Sequence, residues 1–110
     1  MMDHLYLLDA DGEPVPCEDL FAWAEWFERS IEERTIAFDT LPDGAQVSTV
    51  FLSLDHCYRA SEHLPILWET AAWDGLGAVA ICERYESRSE ALAGHARIVE
   101  ALRAGRSPGD

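Results

Sequence analysis

The apolar residues of this chain change their spacing twice, and that change limits the available folds more than any single motif does. Between about Glu18 and Glu33, Leu20, Trp23, Ala24, Phe27 and Ile31 recur at i, i+3, i+4, i+7 and i+11. That spacing lines one side of a helix with 3.6 residues per turn. From Thr35 to Tyr85, apart from an expected loop at residues 56–65 that Pro65 ends, the period is two, the signature of extended strands whose side chains alternate between faces. After Ser87 the helical spacing returns, with Leu92, His95, Ala96, Val99 and Leu102 as the expected buried stripe.

Turn chemistry divides the extended region into strands at Thr35–Thr40, Gln46–Asp55, Ile66–Trp73 and Ala78–Tyr85. Leu41-Pro42-Asp43-Gly44-Ala45 and Asp74-Gly75-Leu76-Gly77 carry the Pro, Asp and Gly that tight turns need, and both are short enough only for antiparallel neighbours. Near the N-terminus, Leu5–Leu8 reads as a strand that leads into an Asp11-Gly12 turn. Pro14 and Pro16 keep the next residues out of a central strand. Asp9-Ala10-Asp11-Gly12 is not an EF-hand loop, because a third oxygen ligand before the Gly and a Glu six residues after it are missing. Ser87-Arg88-Ser89-Glu90 is a capping box that opens the last helix, and Gly105 closes it.

The expected fold is therefore α+β, in the order β-α-β-β-β-β-α. It is an antiparallel four- to five-stranded sheet with two helices on one face, a single domain over residues 1–105 with a flexible tail at 106–110. Leu52, Leu54, Ile66, Trp68, Val79, Ile81, Leu92 and Val99 are the expected core, with Val50 on the face of Leu52 and Leu54. With 48% apolar residues the chain can build such a core despite its charge. No apolar run approaches a membrane span and no signal-peptide pattern opens the chain, so a cytoplasmic location is expected. Cys17, Cys57 and Cys82 are odd in number and widely spaced, which excludes a fully paired disulfide framework and a Cys-x-x-Cys zinc unit.

The charge is large and local. The chain holds 21 Asp and Glu against 8 Arg and no Lys, a net of −13. Up to Asp43 twelve carboxylates face two arginines, Arg29 and Arg34, for a net of −10. On the first helix Glu18, Glu25 and Glu32 repeat every seven residues with Glu28 beside them, Phe21 among them and Trp26 at their margin. Like charges at such spacing cost helix stability, a few tenths of a kcal/mol per close pair. Such a field repels free nucleic acid and membranes and attracts basic proteins. Glu18, Phe21, Glu25, Trp26, Glu28 and Glu32 are the candidate partner-binding residues.

No catalytic constellation is legible, and no cofactor is expected. Asp55, His56, Cys57 and His63 are all competent metal ligands, but their spacing matches no compact ligand pattern. Asp55 and His56 stand at the end of an expected strand, where adjacent side chains would point to opposite faces, so their adjacency makes no dyad. Glu69 stands in an otherwise apolar strand and reads as edge-facing or paired, His95 as a hydrogen-bonded core histidine, and Gly94 as a point of close helix-on-sheet packing.

The run Val47-Ser48-Thr49-Val50-Phe51-Leu52-Ser53-Leu54-Asp55-His56 resembles a family of small uncharacterised phage and prophage proteins, mostly from actinobacterial hosts. The likeness continues through Pro65-Ile66-Leu67-Trp68-Glu69-Thr70, Arg84-Tyr85-Glu86-Ser87 and Ala93-Gly94-His95, and covers most of residues 15 to 103. This chain departs from the family pattern at Ser53, where Gly is usual, and at Cys57–Leu64, usually a Gly-rich loop. The resemblance implies a phage origin and an accessory role. The expectation is a non-enzymatic protein that binds a host protein with a basic, nucleic-acid-binding surface, as an anti-CRISPR or anti-restriction inhibitor does. The alternatives are a small enzyme or metal-dependent protein centred on Asp55, His56 and Glu69, and a phage assembly factor.

Overall fold

The computed structural model describes residues 5–54 and 66–106; Asp55, His56, Cys57, His63 and all but the first residue of the expected tail lie outside the described residues. A short hairpin, β1 (Tyr6–Leu8) and β2 (Pro14–Pro16), precedes helices α1 (Leu20–Arg29) and α2 (Ile31–Arg34). Strands β3 (Thr35–Thr40), β4 (Gln46–Phe51), β5 (Trp68–Trp73) and β6 (Val79–Tyr85) come next, and α3 (Arg88–Arg103) closes the order. The fold is α+β. The four strands β3-β4-β5-β6 form one antiparallel meander, and β1-β2 form a separate two-stranded sheet.

Local signals place most of these boundaries. Asp9 Oδ1 accepts from the backbone N–H groups of Asp11 and Glu13, so the Asp-Gly turn of the first hairpin is an Asx-type turn. Ser87 caps α3 by accepting from the Glu90 N–H at 3.1 Å. At its other end Arg106 N–H donates to the Ala101 carbonyl and Gly105 N–H to that of Leu102, with Gly105 at φ 73°. This is the Schellman arrangement.

One face of the meander carries the core. Val47, Thr49 and Phe51 of β4 and Trp68, Thr70 and Ala72 of β5 point under α3, where Ala91, Ile98, Val99 and Ala101 are buried. Trp26 of α1 reaches the same side and meets Phe51, Leu67, Trp68 and Ala91. Gly94 stands where α3 lies against the Tyr85 phenol, and an added methyl there would overlap that ring. No described helix covers the opposite face of the sheet.

Three expectations are corrected. The buried parity of β4 is Val47-Thr49-Phe51, so Val50 faces the other way and is only half-buried. Leu52, Leu54, Ile66 and Leu92 are also half-buried and Val79 is exposed; of the expected core Trp68 and Val99 are buried, and half-buried Ile81 packs against the core cluster that holds Val99. The other face of β4 is polar at Gln46 and Ser48 and turns apolar only from Val50 to Leu54, and the choice falls to the face that the aromatic cluster around Phe51 and the underside of α3 can fill. The N-terminal helical region is broken at Ser30, and its buried line is Trp26, Ser30 and Arg34, flanked by Trp23 and Phe27, while Leu20 and Ile31 are exposed. The large rings decide the rotation of the helix. Trp26 meets Phe51 edge-on at 6.3 Å, and Trp23 stacks on Phe27 at 5.0 Å while donating to the Ser53 carbonyl. Finally, β2 is an additional short strand, made where the two prolines allow an edge pairing.

Candidate functional site

Two arrangements hold the polar chemistry of the described residues. The first is the outer side of α1. Asp19 caps the helix, its Oδ1 accepting from the N–H groups of Phe21 and Ala22, so the helix proper starts at Leu20 and Glu18 lies before it. Glu18, Glu25, Glu28 and Glu32 are all exposed, and Phe21 is 84% exposed, more than Leu20, Trp23 or Phe27. Trp26 does not belong to this surface: it is buried against Phe51 and serves the core. Glu32 is separated from the others by the break at Ser30 and sits on α2.

The field of this face is hardly relieved. Of the two arginines in the first 43 residues, Arg34 is turned inward. Its Nε donates to Ser30 Oγ, its Nη2 donates to the Phe27 carbonyl, and its guanidinium stacks 3.9 Å from the centroid of the Phe27 ring. Burial lowers its pKa, yet an arginine stays charged. Among the described residues the ion pairs are Arg84–Glu69 and Arg97–Glu83, with a His95–Asp39 contact beside them, and none involves a carboxylate of α1 or α2.

The second arrangement is a polar seam between the sheet and α3. Asp39 Oδ2 lies 2.7 Å from His95 Nε2, and His95 Nδ1 lies 2.7 Å from Thr49 Oγ1. Thr49 and Thr70, directly paired across β4 and β5, bring their hydroxyls to 2.5 Å. Thr70 in turn hydrogen-bonds the Tyr85 phenol, which donates to Glu83 Oε1, where Arg97 also donates. Burial raises the pKa of Tyr85, with Glu83 adding to the effect. Burial alone would raise that of Glu83, but the hydrogen bonds from Arg97 and Tyr85 and the charge of Arg97 lower it on balance.

Carboxylate, imidazole and hydroxyl succeed one another here as in an acyl-transfer triad. A nucleophile must meet its substrate, however, and Thr49 has no accessible surface while its oxygen is shared with Thr70. The seam is a hydrogen-bonded network, buried at Thr49, Thr70 and His95 and open to solvent at its Asp39 and Arg97 ends, that ties α3 to the sheet.

Glu69 is placed on the outer face of the sheet, where Arg84 Nε donates to its Oε2 at 3.0 Å and the Cys82 thiol donates to the same oxygen. Burial, then Glu69, push the Cys82 thiol above its usual pKa, the opposite of what a reactive thiolate needs. Cys17 and Cys82 are free thiols. Among the described residues no three His, Cys, Asp or Glu stand together as metal ligands, and no helix is long and apolar enough to cross a membrane.

Sequence reasoning placed His95 correctly but missed its partners. Asp39, Thr49, Thr70 and Tyr85 lie on four different strands, and only the pairing register brings them together. The available signal was a threonine between apolar residues on one face of each of two strands, Val47-Thr49-Phe51 and Trp68-Thr70-Ala72. Compared with known proteins, the chain matches no family model, no curated protein and no solved structure.

Proposed function

We propose that this protein is a non-enzymatic, phage-type accessory protein that inhibits a host defence protein by occupying its basic, nucleic-acid-binding surface. The observation that carries this reading is Phe21, 84% exposed among Glu18, Glu25 and Glu28, which hold no counter-charge among the described residues. A large ring inside a charged rim is the layout of an interface anchor. Phe21, Glu25 and Glu28 stand at i, i+4 and i+7 and so share one side of α1. The burial of Arg34 leaves Arg29 as the sole arginine in the first 43 residues able to offset their twelve carboxylates at the surface. The likeness of residues 47–56 to phage proteins supports the setting, and the acidity supports the class of partner.

Charge would then govern how fast the complex forms, and the aromatic anchor how long it lasts. The test is binding of the purified protein to purified CRISPR effectors and restriction enzymes of actinobacterial hosts, at low and high salt. A cognate target binds tightly at low salt and loses nucleic acid on binding. Glu25→Arg with Glu28→Arg slows association and flattens the salt dependence. Phe21→Ala speeds dissociation by the equivalent of about 1 to 2 kcal/mol. A target that binds the double variant unchanged at low salt refutes the reading, as does one that binds without displacing nucleic acid.

A further inference from the structure

The sheet face that no described helix covers holds a second feature, apart from α1. At the turn end of the meander a cavity of about 450 Å³ is lined by Phe38, Gln46, Ser48, Trp73 and Asp74, with the backbone of Gly44, Gly75 and Gly77. Its size falls within the range of small-ligand sites. The register explains its shape. Phe38 pairs with Ser48, and Gln46 pairs with Trp73, so two aromatic residues on β3 and β5 flank β4 diagonally across two shorter polar side chains. Two strand spacings and two residues of rise put their backbones roughly 12 Å apart.

The closed end is made by two Asp-Gly turns that touch. A methyl on Gly75 would come within 2.7 Å of the Asp43 carbonyl oxygen, so only glycine allows the tips to meet. Asp74 Oδ1 is held by the N–H groups of Leu76 and Ala78 at 2.8 and 2.9 Å, which orients the carboxylate and leaves Oδ2 without a partner among the described residues. Asp74 is the sole charged side chain in the lining, and the chain as a whole carries −13. At the rim, Leu76 is 96% exposed, and Val79, the register partner of Trp73, is also exposed.

Two aromatic rings, hydrogen-bonding groups and one carboxylate in a strongly negative protein form a receptor for a planar cation. We infer that this slot binds an arginine side chain of a basic partner protein, its guanidinium stacked on the exposed Phe38 ring, with Trp73 beside it, and paired with Asp74. Guanidinium suits the slot better than ammonium, being planar, weakly hydrated and able to stack while its edge donates hydrogen bonds. The same chemistry already occurs inside the protein, where Arg34 lies 3.9 Å over Phe27. The exposed Leu76 and Val79 give the residues flanking such an arginine an apolar surface to rest on.

The probe is the blocked tripeptide acetyl-Gly-Arg-Gly-amide, compared with its lysine and citrulline counterparts at about 0.15 M salt, where the Debye length is about 8 Å. The readout is the indole N–H resonance of Trp73, assigned through Trp73→Phe. The arginine peptide is expected to shift that resonance saturably while those of Trp23, Trp26 and Trp68 stay in place. The lysine peptide should bind at least about 2-fold more weakly, and the citrulline peptide should give no saturable shift. Phe38→Ala and Asp74→Asn should each weaken binding about 2- to 5-fold, the scale of an exposed cation–π or ion-pair contact. The Glu25→Arg, Glu28→Arg variant should keep the Trp73 response, so this site and the α1 surface stand or fall separately. Equal binding of the lysine or citrulline peptide overturns the inference, as does an unchanged affinity in Phe38→Ala or a shift that never saturates.

Discussion

The polar seam under α3 makes a quantitative prediction about coupling between Thr49 and His95. Thr49→Val keeps the shape of the side chain but leaves His95 Nδ1 buried without a partner, since Thr49 Oγ1 is its contact at 2.7 Å. An orphaned buried polar group costs about 1 to 3 kcal/mol. His95→Leu removes both ring hydrogen bonds. Asp39, whose side chain is 40% exposed, returns to water, and Thr49 keeps Thr70, so this change should also cost about 1 to 3 kcal/mol. The double variant leaves nothing orphaned, because Thr70 retains Tyr85. Its loss should therefore resemble that of one single change, with a coupling of about 1 to 2 kcal/mol between the two positions. Such effects are large against the total stability of about 5 to 15 kcal/mol expected of a small domain. Equilibrium urea unfolding, monitored by far-UV circular dichroism and tryptophan fluorescence, measures all four proteins. The reasoning is refuted if the two losses add to within about 0.5 kcal/mol, or if Thr49→Val costs less than that.

Ser53 sits at φ 70° with its hydroxyl fully buried and unpartnered among the described residues, so Ser53→Gly should raise stability by about 1 kcal/mol in the same urea titration, and a loss would contradict the strain argument. Glu83 has a lowered pKa in the fold, so its contribution is present above the ordinary carboxylate pKa and is lost as pH falls through the folded value. The stability gap between the native protein and Glu83→Gln should thus be present at pH 7, no more than about 1 kcal/mol because the carboxylate is 30% exposed, and should narrow steadily as pH falls below the ordinary carboxylate range; a gap that does not change with pH would assign it to shape instead of charge.

Apart from β2 and the break at Ser30, the sequence by itself determined the elements and their order, because those depend on neighbours within one turn or one strand. The capping Ser87, the Asp-Gly turns at 11–12, 43–44 and 74–75, and the change of apolar period all act locally, and each lies where an element begins, bends or ends. The exposure of Glu18, Phe21, Glu25 and Glu28 was legible for the same reason. Tertiary structure decided which faces are inside. β4 has apolar residues on both sides, and the balance went to Val47, Thr49 and Phe51 because α3 and Trp26 fill the space beneath them and because His95 and Thr70 satisfy the buried Thr49 hydroxyl. Trp26 moved from surface to core on the same grounds: the contact with Phe51 spans 25 positions of the chain, beyond the reach of any helical period. The slot between Phe38 and Trp73 exists only through strand register, which sets Gln46 and Ser48 between them and which the side-chain pattern of a single strand does not specify.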